Sequence, residues 1–180
     1  MNQAIFFDKD GVINPLVERE NGEITSPRHL KEFKYLPNVI DCFHSLRNYN
    51  YLTFIVTNQP ALYTGEMSKE NWLEMMGNIY SWLRPNKIVY EFDKKSERYK
   101  PNNLMLEELI KEFDIDRSKS FMVGDRWKDI VPAHKSSLNT ILVGKTEPYV
   151  HEIKPQYLVK DIKEACDLIM EIDNVWHPSK

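Results

Sequence analysis

Short apolar runs of strand length alternate with amphipathic stretches of helical length along most of this chain, and no other feature limits its fold as much. The strand-like runs are Ala4 to Phe7, Leu52 to Val56, Ile88 to Phe92, Ser120 to Val123, Thr140 to Val143 and Tyr157 to Val159. Between them, Pro37 opens a helix with Val39, Ile40, Phe43 and Leu46 on one face, ending near Asn48 to Asn50. Ser68 reads as the N-cap of a helix carrying Trp72, Leu73, Met76, Ile79, Tyr80 and Leu83, stopped by Pro85. A third helix is predicted from Pro101, with Leu104, Leu106, Leu109 and Ile110 inward, and a short one through Trp127, Ile130 and Ala133. The last follows Asp161 and Glu164, which have capping-box spacing. Such alternation argues an α/β fold, a parallel sheet covered by helices on both faces with right-handed crossovers.

The 180 residues, 42% of them hydrophobic, suffice for one domain spanning 1–180 with a sizeable core. A net charge of -3 gives no global reason to expect nucleic acid or an anionic membrane. No apolar run approaches the roughly 18 residues of a bilayer span, and the N-terminus enters a strand without a basic and apolar leader, so the expectation is a cytoplasmic protein. Cys42 and Cys166 fall in helical segments and read as buried thiols rather than a disulfide. Residues 12–36 hold no clear strand or helix of full length, and a connection of that size is either functional or disordered. Gly22-Glu23-Ile24-Thr25 suits a small hairpin flap.

Chemistry concentrates where strands stop. Ala4 to Phe7 runs directly into Asp8-Lys9-Asp10-Gly11. By itself that is also the composition of a turn. A calcium loop fails, because counting from Asp8 puts Val12 and Arg19 where oxygen ligands are needed. In an open parallel sheet, ligands bind beyond the carboxyl ends of the strands, so Asp8, Thr57, Asp125 and, from a loop, Lys100 would meet on one edge. Two acids, a hydroxyl, an amine and two further acids at Asp125 and Asp129 suit phosphoryl transfer to a carboxylate. Asp8 would attack, and Asp10 would serve as general acid and then as base toward water. Thr57 would bind phosphoryl oxygens, and Lys100 would balance charge. Magnesium would be held by Asp8, the main-chain carbonyl of Asp10 and Asp125, with Asp129 as an outer partner. Gly144-Lys145-Thr146 lacks the glycine that a P-loop requires five positions earlier, and the five histidines have no cysteine pair at zinc-ligand spacing.

Four segments carry a resemblance: Phe7 to Val12, Val56-Thr57-Asn58, Lys100-Pro101 and Val123 to Asp129. Together they resemble the haloacid dehalogenase superfamily of phosphatases. Asp8 to Asn14, Ser26-Pro27, Phe33 to Val39 and Thr57-Asn58-Gln59 are similar, more narrowly, to its capless branch acting on D-glycero-D-manno-heptose 1,7-bisphosphate or histidinol phosphate. The resemblance implies a Rossmann-like three-layer sandwich with strand order 5-4-1-2-3, a flap over about 12–36, no large cap, magnesium, and a small phosphorylated metabolite as substrate. A monomer is expected. Asn58, Gln59, Arg28, Arg98 and Arg126 are the candidate substrate contacts, joined in the flap by Arg19 and His29. Many members carry a zinc loop ahead of the motif lysine; here Tyr90 to Tyr99 is shorter and lacks zinc ligands, so no zinc is expected. The heptose branch places an arginine directly before that lysine, whereas this chain has Tyr99 there and Arg98 one step earlier. A histidinol phosphatase, a polynucleotide 3'-phosphatase and a catalytically silent phospho-ligand binder remain as alternatives.

Overall fold

The computed structural model describes residues 1–144 and 152–173. In chain order the elements are β1 (Ala4–Phe7), β2 (Val17–Glu18), β3 (Ile24–Thr25), α1 (Val39–Asn48), β4 (Leu52–Asn58), α2 (Pro60–Thr64), α3 (Lys69–Leu83) and β5 (Lys87–Glu91). They continue with α4 (Leu104–Glu112), β6 (Phe121–Gly124), α5 (Trp127–Lys135), β7 (Asn139–Val143), β8 (Tyr157–Val159) and α6 (Ile162–Ile172). The described residues form a six-stranded parallel sheet in the order β5-β4-β1-β6-β7-β8, and β2 and β3 pair separately as an antiparallel hairpin. Counted along the sheet alone this is 6-5-4-1-2-3, the expected order with β8 added at one edge.

All four residues of β1 are buried, as a strand paired on both sides and covered on both faces must be. Strand pleating sends Ile5 and Phe7 to one face, where they pack with Phe43 of α1, Met75 and Ile79 of α3, and Ile169 of α6. Ala4 and Phe6 go to the other, against Met105, Leu106 and Leu109 of α4 and Ala133 of α5. Ring pairs tie β1 to α1 and to its neighbour β4: Phe7 to Phe43 at 4.7 Å and Phe6 to Phe54 at 5.2 Å between centroids. Each such aromatic, fully buried, contributes about 2–3 kcal/mol from area alone. Cys42 and Cys166 are buried free thiols, as expected.

Three expectations change in detail. Leu73 and Tyr80 of α3 are 55% and 45% exposed, and Met75 is fully buried instead. Trp72, Met75, Met76, Ile79 and Leu83 already complete the inward stripe, and a residue one position further along turns about 100° away from it. The helix expected from Pro101 begins at Leu104, because Pro101 lies in a turn where the Asn102 N–H donates to the Tyr99 carbonyl at 3.0 Å. The segment after Pro60, where the periodicity assigns no helix, contains the five-residue α2 with Pro60 at its first turn. Lys145, Thr146 and the tail residue Trp176 lie outside the described residues.

Candidate active site

β1 sits at the switch point, with β4 on one side and β6 on the other, so the chain leaves the sheet in opposite directions around its carboxyl end. Register places Phe7 beside Ile55 and Val123, and the Asp8 N–H still donates to the Val123 carbonyl at 2.9 Å. Asp8 therefore stands at the edge where β4 and β6 also end. Gly11, at φ +89°, turns the chain away, and a Cβ there would lie 2.3 Å from Asp125 Oδ2. At Gly124 a Cβ would lie 2.2 Å from that of Asp129. Only glycine at these two positions lets the carboxylates close in.

One oxygen from each of Asp8, Asp125 and Asp129 lies within 4.8 Å of the others. Lys100 neutralises part of this charge: its buried Nζ donates to Asp8 Oδ1 at 2.9 Å, Asp129 Oδ1 at 2.5 Å and the Val56 carbonyl at 2.9 Å. Burial, with Asp129, Asp125 and Asp10 nearby, pushes the Asp8 carboxyl up to about 8 although Lys100 works against it. Burial and Asp129 raise Asp125 to about 6. For Lys100 burial favours the neutral amine, yet Asp129 and Asp8 outweigh it and hold the ammonium above its ordinary range. Asp125 Oδ1 is buried without a hydrogen-bond partner. Hard oxygen donors, excess negative charge and an orphaned carboxylate oxygen fit a small dication such as magnesium. Asp129 is less free, since its other oxygen accepts from the Arg126 N–H at 3.2 Å, which suits an outer partner that anchors Lys100.

The Asp10 carboxylate stays out of the acidic group. Its Oδ1 accepts from Lys9 Nζ at 2.6 Å and Asn14 Nδ2 at 2.9 Å, and its Oδ2 from Gln59 Nε2 at 2.7 Å. The same Gln59 amide donates to Thr57 Oγ1 at 2.9 Å, leaving that hydroxyl's own proton free for another acceptor.

These groups open on a cavity of about 310 Å³ lined by Asp8, Asp10, Thr57, Asn58, Lys100 and Asp129, by Thr25, Ser26 and Arg28 of the flap, and by Glu66, Lys94, Tyr99, Arg126 and Lys128. Among the expected substrate contacts, Arg28, Asn58 and Arg126 reach it. Arg28 is paired with Glu66, and its buried Nε has no partner. Asn58 spends its amide on the Lys100 main chain, donating to its carbonyl at 2.9 Å and accepting from its N–H at 3.0 Å.

Two candidates do not line the cavity. Gln59 is fully buried behind the cavity and positions Asp10 and Thr57. Arg98 turns away onto Glu108, with three bonds of 3.0–3.1 Å, because the chain offers it a carboxylate one helix away. In the flap, Arg19 is spent on Glu32, with Nη1 to Oε1 at 2.5 Å, and His29 lies 3.3 Å from that oxygen; neither lines the cavity. Sequence reasoning missed Lys9, Lys94 and Lys128. For Lys9 the signal was present, because two acids at a buried strand end need a cation and Lys9 lies between them.

A family model described as HAD-hydrolase-like matches residues 98–165. A D-glycero-β-D-manno-heptose-1,7-bisphosphate 7-phosphatase from Pasteurella multocida (strain Pm70) is 27% identical over 94% of this chain and 97% of its own length. The D-glycero-D-manno-heptose-1,7-bisphosphate 7-phosphatase of Chlorobaculum tepidum is also 27% identical, over 91% of this chain and 92% of its own. Among solved structures, the D,D-heptose 1,7-bisphosphate phosphatase of B. bronchiseptica, complexed with magnesium and phosphate, superposes with a TM-score of 0.81 at 18% identity, covering 94% of this chain and 99% of that one. Sheet order, strand-end motifs and these similarities agree: the chain has the fold of the heptose bisphosphate phosphatase structure, is similar in sequence to such phosphatases along most of its length, and carries a HAD-hydrolase-like match over residues 98–165.

Proposed function

We propose that this protein is a magnesium-dependent phosphomonoesterase that removes the 7-phosphate of D-glycero-D-manno-heptose 1,7-bisphosphate through an aspartyl-phosphate on Asp8. The observation that carries the reading is a buried carboxylate at the cavity floor with one oxygen held by a lysine, flanked by a hydroxyl and a second, separately oriented carboxylate. Lys100 fixes Asp8 Oδ1, so the other oxygen is the one presented to phosphorus. Thr57 donates its free proton to a phosphoryl oxygen. Asp10, held by Lys9, Asn14 and Gln59, delivers a proton to the leaving alkoxide and then takes one from the water that cleaves the acyl-phosphate. Magnesium, when bound by Asp8, Asp125 and the Asp10 carbonyl, supplies the charge neutralisation that lets an anion attack an anion. Asn58 keeps Lys100 in place, and the flap residues around Arg28 with Arg126 cover the substrate.

The sequence similarity to heptose bisphosphate phosphatases over nearly the full chain favours that substrate. A cytoplasmic monomer suits this reading. It is tested by phosphate release with magnesium from heptose 1,7-bisphosphate, histidinol phosphate, other sugar phosphates and a 3'-phosphorylated oligonucleotide, with Asp8→Asn alongside. Preferential release from the heptose, lost in Asp8→Asn, is the expected result. Preference for another compound would reassign the substrate, and tight binding of phosphorylated ligands without release would make the protein a binder.

A further inference from the structure

The turn between β5 and Lys100 is organised around one buried carboxylate. Glu91, at the end of β5, accepts from the N–H of Phe92 at 2.9 Å and of Asp93 at 3.1 Å on Oε1, and from Ser96 Oγ at 2.9 Å on Oε2. Its main-chain carbonyl accepts from the Gln59 N–H at 2.8 Å, which ties the turn to the catalytic β4 end. Further bonds close the rest: Lys95 N–H to Asp93 Oδ1 at 2.9 Å, Ser96 N–H to the Asp93 carbonyl at 3.0 Å, and Arg98 N–H to Ser96 Oγ at 3.1 Å. A turn with this many inward bonds is preformed, and one carboxylate performs here the organising role that a bound metal ion performs elsewhere.

That rigid turn presents its two lysines differently. Lys94 lines the cavity and its side chain has no hydrogen bond or ion pair among the described residues, while Lys95 does not line it. Arg98, the other cation of the turn, is spent on Glu108. Across the cavity stand Lys128 and Arg126, the latter 3.4 Å from Asp125 Oδ2, and the acid outside the catalytic group, Glu66, is already paired with Arg28. In a chain of net charge -3, the mouth is thus locally positive. A single phosphoryl group at Asp8 already meets Lys100 and the metal, so an unpartnered cation held at the rim calls for a second anion.

We propose that Lys94, carried on the turn that Glu91 holds preformed, determines specificity by recognising a second anionic group on the substrate, remote from the phosphate that Asp8 attacks. The inference rests on the phosphatase reading and names which residue selects a bisphosphate over a monophosphate.

The test compares kcat/KM for heptose 1,7-bisphosphate and heptose 7-phosphate in the wild type, Lys94→Ala, Lys95→Ala and Glu91→Gln. The ratio between the two substrates is expected to fall about tenfold in Lys94→Ala, chiefly through KM, and to hold in Lys95→Ala, which removes the same charge from the same turn. Glu91→Gln should lower the ratio too and speed amide hydrogen exchange across 92–99; if that variant fails to fold, the lysine pair still decides. An unchanged ratio in Lys94→Ala, or an equal fall in both lysine variants, would overturn the inference while leaving the phosphatase reading in place. Release from neither substrate by the wild type would overturn the phosphatase reading and the inference with it.

Discussion

Replacing Lys100 by Met keeps most of the unbranched side chain and removes the cation on which Asp8 and Asp129 both depend. Lys100 is 3% exposed and its ammonium makes three hydrogen bonds, two of them to carboxylates. Removing one partner from a buried ionic cluster leaves uncompensated charge and costs about 3–5 kcal/mol. For a chain of this size each kcal/mol moves Tm by roughly 2–4 °C, so metal-free Lys100→Met should melt roughly 6–20 °C below the wild type at pH 8. The loss should also depend on pH. Lys100 also holds down the Asp125 carboxyl, so without it that group, already raised to about 6, rises further; it stays largely ionised at pH 8 and is protonated at pH 5, which removes part of the repulsion. Calorimetry at pH 5 and pH 8 in a chelator measures both effects, with circular dichroism to confirm folding. A drop of less than about 3 °C, or an equal drop at both pH values, would refute the reasoning and make Lys100 a packing residue.

The metal-free wild type should also lose stability as pH rises from about 4 to about 8. Asp8 and Asp125 carry raised folded-state values, so the fold binds more protons than the unfolded chain across that window, and magnesium should flatten the slope in thermal melts. Gln59→Leu removes the donor shared by Asp10 and Thr57, the bond to the Asp10 carboxylate being worth about 1.5–3 kcal/mol, so kcat should fall about 10- to 100-fold with little change in KM. Met75→Ala should destabilise by about 2–4 kcal/mol in urea unfolding, and Leu73→Ala by less than about 0.5, because Met75 lies in the core and Leu73 does not.

Much of the fold was legible because its signals are local. Six runs matched the period of a strand, and Ser68 as N-cap was confirmed by its hydroxyl accepting from the Asn71 N–H at 3.1 Å. The α3 face was misread in part because Leu73 and Tyr80 are apolar and fall within one turn of the true stripe, and apolarity alone does not distinguish the core from a half-exposed flank. Gln59 looked like a substrate contact because it follows Thr57-Asn58; only the tertiary structure buries its amide against Asp10, outside the cavity lining. Arg98 was drawn out of the site by Glu108, a residue on α4 whose approach no spacing announces.

The sequence by itself determined which groups stand together at the strand ends: Asp8, Asp10, Thr57, Lys100, Asp125 and Asp129 follow from residue type and from where apolar runs stop, both properties of neighbours along the chain. Which charges remain free was decided only by the tertiary structure. Lys94, Lys95 and Arg98 are equivalent cations in one short segment, yet one lines the cavity, one does not and one pairs with Glu108. Their fates depend on long-range partners and on how Glu91 folds the turn, and electrostatic pairing acts through space, where sequence distance carries no information.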